Sequence, residues 1–349
     1  MPFLASPARS QEGGAPGTAA SIGPASGQAA GQSGSPAAAK GQLSFIEEND
    51  SIFSKSDKHY TQGVRADYLS PPLLQGWRYD IFDFLAPIFP VSADQQRRFD
   101  WIVLGQSIYT PANLKINPPS ASDRPYGGWL YTGGEFLQEN GGNNLTGFEV
   151  LLGVVGPAAL GKEVQNDWHQ FIGIAGGQGW DDQLKNEPGI ALSYEKHWRL
   201  NIIRLGGFGV DVVPEADATI GNVFTYGAVG GILRIGDGLD TDYGPPRIRP
   251  APSGTDWVDP SRRSGNFGYY FFIGGEGRAV GQNIFLDGNT FAYSRNVEKK
   301  PLVGDLTAGL AMFWKDDIRF DLGLISRTKE FYGQQGQDSY AGLRLTFGL

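Results

Sequence analysis

The chain contains no cysteine, so no disulfide framework staples it and no thiolate is available as nucleophile or metal ligand. It contains no run of about 18 apolar residues either, which excludes a membrane-spanning helix but not a β-barrel, whose alternating strands leave only a weak hydropathy signal. Positive charge is in short supply: 29 Lys and Arg stand against 37 Asp and Glu, and a net charge of −8 argues against a nucleic-acid partner. No GxSxG motif is present, so nothing points to a serine nucleophile on an elbow turn. Histidine is scarce, with three in 349 residues, and each one therefore has to be weighed for chemistry.

Glycine and aromatic residues are abundant: 51 Gly, 21 Phe, 14 Tyr and 8 Trp. With no cysteine, that mixture fits a β-rich protein of the bacterial envelope. The opening MPFLASPARS lacks the long apolar core of a signal peptide. Residues 1–40 are dominated by Ala, Gly, Ser, Pro and Gln and cannot bury enough apolar surface to offset the entropy of ordering, which predicts a disordered tail. Residues 41–349 read as one domain.

From Leu43 onward, segments with a period of two residues recur between clusters of Gly, Asn, Asp and Pro. GVRADYLS (63–70) puts Val64, Ala66 and Tyr68 on one face and Arg65 and Asp67 on the other. Similar patterns cover Leu43–Glu48, 99–107, 129–137, 145–155, Gly189–Tyr194, 197–211, 222–236, 267–280, 302–314, 317–331 and 339–349. Together they predict twelve strands, longer than the globular mode of about five to six residues. Residues 71–97, 108–127, 155–187 and 237–264 form long connections, whereas KDD at 315–317 is a tight turn. Small and charged residues alternate with apolar ones, as in Asp305, Thr307 and Gly309 against Leu306, Ala308 and Leu310. The expected fold is all-β, a 12-stranded antiparallel transmembrane β-barrel with long extracellular loops and a short loop helix, in preference to a soluble sandwich or propeller. The ending TFGL departs from barrels that finish on an aromatic residue, since Phe347 lies two residues short of the end.

The helix is expected at VQNDWHQFIG (164–173), a polar insert that carries one of the histidines. On a helix, Val164, Trp168, Phe171 and Ile172 fall at i, i+4, i+7 and i+8, an apolar stripe suited to docking on the barrel wall. Gln165 and His169 are one turn apart and share the adjoining face. Taken alone, a lone histidine on a loop helix is more often an inert surface residue than a catalyst.

Two further polar segments stand out. In FIEENDSIFSKSDKHYTQG (45–63), Asn49 and Asp50 directly follow the first strand, and Asp57, Lys58, His59, Tyr60 and Thr61 lead into the second. Adjacent Asn and Asp supply hard oxygen ligands suited to Ca²⁺ or Mg²⁺, although Asx-rich turns are common without a metal. In IYTPANLK (108–115), Lys115 is either an ordinary solvated lysine or a contact for an anionic substrate. His59 adjoins Tyr60 and Thr61 and is placed to line a site. His197 precedes Trp198 at a strand end and reads as an interface residue.

The segments ENDSIF…DKHYTQGVRADY, GQSIYTP, DRPYGGWLY, VVGP…EVQNDWHQFIG and GWDDQLKNEPG, in that order, resemble the outer-membrane lipid A 3′-O-deacylase family. The resemblance runs from about Leu43 to the C-terminus. It implies a 12-stranded barrel in the bacterial outer membrane, with lipid A or lipopolysaccharide as substrate partner and a site between the barrel wall and a loop helix. It also implies Ca²⁺-dependent hydrolysis of a 3′-linked acyloxyacyl ester group, with Mg²⁺ as the alternative cation. Carried over by position, the resemblance assigns catalytic roles to His169, Gln165, Asn49, Asp50 and Thr61. It assigns the metal to Asp50 and Asn49, and substrate contact to Lys115. One departure bears on activity: a glutamate found shortly after the histidine in one branch of that family falls near Ala175 here. Its role is then missing, dispensable, or filled by another carboxylate such as Asp181.

For such a site, a neutral His169 would take a proton from water while the cation polarises the ester carbonyl. Gln165 would orient the imidazole or the water, and Thr61 would bond substrate or metal-bound water. Two other readings stand beside this one. One is a family barrel with lost or altered activity. The other is a passive porin-like channel, which needs neither the helix nor the Asn-Asp pair.

Overall fold

The computed structural model describes residues 40–51, 58–90, 92–171, 173, 175–250, 254–263, 265–315 and 317–349. Residues 1–39 of the expected tail (1–40) therefore lie outside the described residues, as do Asp57 and Ile172. The strands are β1 (Gln42–Asn49), β2 (His59–Leu69), β3 (Gln96–Thr110), β4 (Gly127–Asn140), β5 (Asn144–Val155), β6 (Glu187–Trp198) and β7 (Leu200–Leu205). They continue with β8 (Phe208–Gly221), β9 (Phe224–Asp237), β10 (Phe267–Asn283), β11 (Leu302–Trp314), β12 (Ile318–Arg327) and β13 (Asp338–Gly348).

Each strand pairs antiparallel with a neighbour, β1 pairs with β13, and β6 pairs with β8. Twelve strands thus close into a barrel, leaving β7 as an extra strand in a hairpin with β8. Closure removes the sheet edges that a lipid environment cannot satisfy. At the seam, the hydroxyls of Ser44 and Thr346 lie 3.0 Å apart.

The alternation places charge inside and grease outside. On β10, Tyr269, Phe271 and Ile273 are exposed while Tyr270, Phe272, Glu276 and Arg278 are buried. On β11, Leu306 is exposed and Asp305 and Thr307 are buried. Trp101, Leu152, Ile220, Val229 and Leu324 continue the apolar exterior. In water such a surface would be an aggregation liability, whereas against acyl chains it is the stable arrangement. This is an outer-membrane barrel, as the alternation predicted.

Two details differ from the strand reading. The stretch 197–211 is not one strand: its first two residues end β6, it breaks at Arg199 before β7, and it breaks again at Gly206–Gly207, where Gly206 adopts φ +63° and turns the chain from β7 into β8. The long connections are also not confined to one end. Residues 141–143 make a tight turn at one end of the barrel, the short junction between β11 and β12 lies there too, and register places the connections after β2 and β9 at that same end. The first of these carries a short helix, Trp77–Phe84. Loop length alone does not report which end a loop occupies, whereas strand parity does. The ends of β1, β3, β5, β10 and β12 lie at the opposite end, called the rim below, with the described residues that follow them.

The connection from Gly238 to Asp259 folds back into the lumen, and most of its described residues are buried. Arg249 reaches Glu195, and also Glu149 at 3.7 Å and Asp217 at 3.6 Å. Arg327 donates to the carbonyl of Pro250 at 2.6 Å, and the hydroxyl of Tyr243 donates to Glu139 at 2.7 Å. Asp242 is gripped by Arg234 and Arg319. Burial opposes its ionisation, but these two guanidiniums outweigh that and hold the carboxyl below the usual range. His197, read as an interface residue, instead points into this lumen, 3.4 Å from Glu195 and 3.7 Å from Glu215.

Candidate active site

The polar residues singled out in the sequence gather at the rim. β1 ends at Asn49, opposite Gln62 of β2. The Asn49 amide oxygen accepts from the Ser51 backbone N–H at 2.8 Å and from its hydroxyl at 2.5 Å, an Asx turn that stops the strand. Asp50 accepts from the Lys58 N–H at 2.7 Å, and its own N–H donates to the Thr61 carbonyl at 3.4 Å. Both side chains are buried. One residue earlier, Glu48 faces the lumen and receives Tyr60 at 2.8 Å and Arg247 at 2.6 Å. The strand end that presents Asn49 and Asp50 is thereby fastened from inside by the lumenal connection.

Thr61 occupies an irregularity in the β2–β3 ladder, between Tyr60 and Gln62. Its hydroxyl lies 2.7 Å from that of Thr110. Thr110, buried at the end of β3 just before Pro111, went unnoticed as a partner, although it stands in the IYTP motif.

The helix forms over Gly161–Phe171 and contacts β3 and β4. Gly161 and Gly128 make this approach feasible: a Cβ on Gly161 would sit 3.0 Å from the Trp180 ring and 3.4 Å from the Cα of Gly128. Val164 packs with Leu114 against Ile108, Tyr126 and Trp180. The expected docking stripe is only partly realised. Trp168 and Phe171 are exposed, 46% and 81% respectively, with ring centroids 5.7 Å apart. The face that meets the wall is instead Gly161, Val164, Gln165 and His169. A buried polar pair with fixed partners docked in place of the larger apolar residues.

Those partners are specific. Trp180 Nε1 donates to Gln165 Oε1 at 2.9 Å. His169 Nδ1 lies 3.0 Å from the carbonyl oxygen of Ala175. A carbonyl only accepts, so in the neutral ring Nδ1 carries the hydrogen and the basic lone pair sits on Nε2. The chain can return this closely because Asn166 accepts from the Gly177 N–H at 3.0 Å, and a Cβ on Gly176 would lie 2.4 Å from Asn166 Oδ1. Trp180 was another residue missed as a site member, although it belongs to the GWDDQ motif.

The glutamate question is answered in part by this return. Asp181 does not take up the role, because it is exposed and pairs with Lys162 at 2.9 Å. The acceptor on His169 Nδ1 is the backbone of Ala175 itself.

Lys115 is exposed on the loop after β3. That loop is buttoned to the segment behind the helix, since the Leu114 carbonyl accepts from the Gln178 N–H at 2.8 Å and from Tyr126 at 3.4 Å. His59, placed by sequence near the site, is buried at φ +64° and 2.7 Å from Asp338, with its ring edge-on to Phe331. It braces the rim from inside.

For a cation at Asn49 and Asp50, the donor chemistry fits: one carboxylate and one amide oxygen, both hard. The pair supplies two side chains, so carbonyls, water or substrate must complete the shell.

Residues 17–349 match the family described as outer membrane protein LpxR. Among solved structures, LpxR from Salmonella typhimurium is similar with a TM-score of 0.69 at 24% identity, over 88% of this chain and 100% of that one. The β domain of the Bordetella autotransporter BrkA is similar at 0.40 and 11% identity, over 89% and 100% of the two chains. An outer membrane channel from Pseudomonas putida F1 is similar at 0.37 and 11%, over 93% and 100%. No curated protein matches by sequence. The family match spans the whole barrel, so the chain belongs to the LpxR family of outer-membrane proteins.

Proposed function

We propose that the protein hydrolyses a 3′-linked acyloxyacyl ester group of lipid A at the outer-membrane rim, with His169 as general base. The observation that carries this reading is the His169–Ala175 contact, which fixes the ring and directs its basic nitrogen to Nε2. Nε2 takes a proton from the attacking water as the water oxygen bonds to the ester carbon. The ester C–O bond then breaks, and the proton passes to the departing lipid A oxygen, leaving a fatty acid and a hydroxyl. Gln165, its oxygen engaged by Trp180, would orient the imidazole or the water.

Asp50 and Asn49 would hold Ca²⁺, or Mg²⁺ in its place, and a cation there supplies polarisation of the ester carbonyl and stabilisation of the oxyanion. Thr61, paired with Thr110, would bond substrate or water beside them. Lys115 would meet the anionic headgroup from the adjacent loop.

Access for an acyl chain favours this reading. Phe45, Val64, Ala66, Leu104 and Leu345 line an apolar groove on the lipid-facing wall, with Glu47 at its rim side, two residues before Asn49. The lumen, by contrast, is crossed by a segment tied to both walls, which speaks for an enzyme rather than a passive channel. Mass spectrometry of lipid A from cells with and without the gene tests the proposal. Loss of one acyl mass that depends on the gene supports it, and identical lipid A overturns it.

A further inference from the structure

Inside the barrel, well away from the rim, three carboxylates converge from different elements. Asp67 of β2, Asp100 of β3 and Asp256 of the lumenal connection each place an oxygen within 4.8 Å of the others. All three are buried, and Asp100 is fully so. Neither oxygen of Asp100 has a hydrogen-bond partner among the described residues. A buried carboxylate in that condition is costly unless it takes up a proton or something cationic completes it.

The protein supplies some of that charge, but not enough. Arg65 binds Asp67 at 2.7 Å and also Asp256, and Arg344 binds Asp256 at 3.2 Å. Glu135 adds a fourth carboxylate, directly across the ladder from Asp100 on the same face, and its Oε1 also lacks a partner. Like charges in directly opposed positions destabilise a sheet. The nearby Arg249 is occupied by Glu149, Glu195 and Asp217, and Arg98 lies over the Trp257 ring at 5.2 Å. Four carboxylates thus face two guanidiniums, and the shortfall equals the charge of one divalent cation.

We propose that Asp67, Asp100 and Asp256 bind a hard divalent cation of the Ca²⁺ type, with Glu135 as a further ligand, and that this ion clamps the lumenal connection to the barrel wall. Oxygen-only donors favour a hard cation such as Ca²⁺ over softer metals. The site is separate from the rim pair: Asp67 lies opposite Ser44 toward the tight-turn end, whereas Asn49 ends β1 at the rim. Its role is structural and rests on none of the catalytic assignments. Arg247 of the same connection holds Glu48, so the clamp also steadies the strand end carrying Asn49 and Asp50.

The test uses the full-length protein folded in detergent, stripped with EDTA and dialysed against Ca²⁺ alone. The Asp50→Asn variant is expected to retain about one equivalent of bound Ca²⁺, and Asp50→Asn with Asp100→Asn to lose it. Ca²⁺ is expected to raise the midpoint of thermal unfolding in Asp50→Asn but not in Asp50→Asn with Asp256→Asn, since a ligand stabilises only a fold that binds it. Binding by Asp100→Asn equal to wild type, or no binding by Asp50→Asn, overturns the proposal. Equal binding by Asp50→Asn and wild type, with loss in Asp100→Asn, supports the lumenal site while removing the rim one. Anomalous scattering from wild-type crystals soaked in Tb³⁺ needs no variant. A peak between the three carboxylates supports the site, and none there overturns it.

Discussion

The indole N–H of Trp180 donates to the side-chain oxygen of Gln165 at 2.9 Å, fastening the loop helix to the segment that follows it. One turn later on the same helix, His169 is fastened to that segment through Ala175. The two bonds hold both polar residues in the crevice while Trp168 and Phe171 face outward. Trp180→Phe keeps the ring and removes the donor, leaving a buried amide oxygen without it. The cost is about 1–3 kcal/mol, or roughly a tenfold or greater fall in deacylation if it is expressed in the rate. Lipid A turnover by the purified variant measures this, and a wild-type rate would show that the bond does not position Gln165.

The exposed aromatic pair makes the opposite case. Trp168→Ala and Phe171→Ala should leave the stability of the barrel, measured by thermal unfolding, within about 0.5 kcal/mol of wild type, as for surface substitutions generally. Val164→Asp puts a charge into the cluster of Ile108, Tyr126 and Trp180 and should release the helix. Limited proteolysis of the 156–186 loop reads this out: rapid cleavage is expected only for Val164→Asp.

The lumenal connection should be sensitive to acid. Arg319 and Arg234 hold the Asp242 carboxyl below its usual range against the opposing effect of burial. A lowered folded pKa contributes stability that is present above the unfolded value of about 3.9 and lost as pH falls through the folded value. Asp242→Asn should therefore destabilise the neutral-pH protein by about 1–3 kcal/mol, because it takes the shared carboxylate from two buried guanidiniums that keep Asp211 and Asp321. Its deficit should shrink below about pH 4. Thermal midpoints of both proteins from pH 7 downward check the sign, and a deficit that grows in acid would contradict it.

Metal removal separates the rim chemistry from the fold. Chelation should abolish ester hydrolysis, and Ca²⁺ but not Zn²⁺ should restore it, because Asn49 and Asp50 present only hard oxygens. Asp50→Ala should remain folded and inactive at any Ca²⁺ concentration. Activity that persists in chelator would remove the cation from the mechanism.

Much of this was legible in the sequence, for identifiable reasons. A period of two residues over long segments fixes which side chains face lipid, as Leu306 against Asp305 illustrates. Asn49, Asp50, Thr61, Lys115, Gln165 and His169 all come to one rim because they sit at strand ends of the right parity or on loops joining them. What periodicity could not show is which helix face docks. Burial of Gln165 and His169 depends on Trp180 and on the backbone of Ala175, partners set by a glycine-rich return that carries no periodic signal. Nor did it show that the connection after β9 enters the lumen, because Arg249 and Asp256 are matched by carboxylates and guanidiniums scattered over five strands.

The central claim is that His169 activates water against a lipid A ester. Mass spectrometry of lipid A from cells expressing equal amounts of folded wild type or His169→Ala tests it most directly. Lipid A shortened by one acyl group with wild type and fully acylated with the variant is the result expected. The same shortened lipid A in both would contradict it.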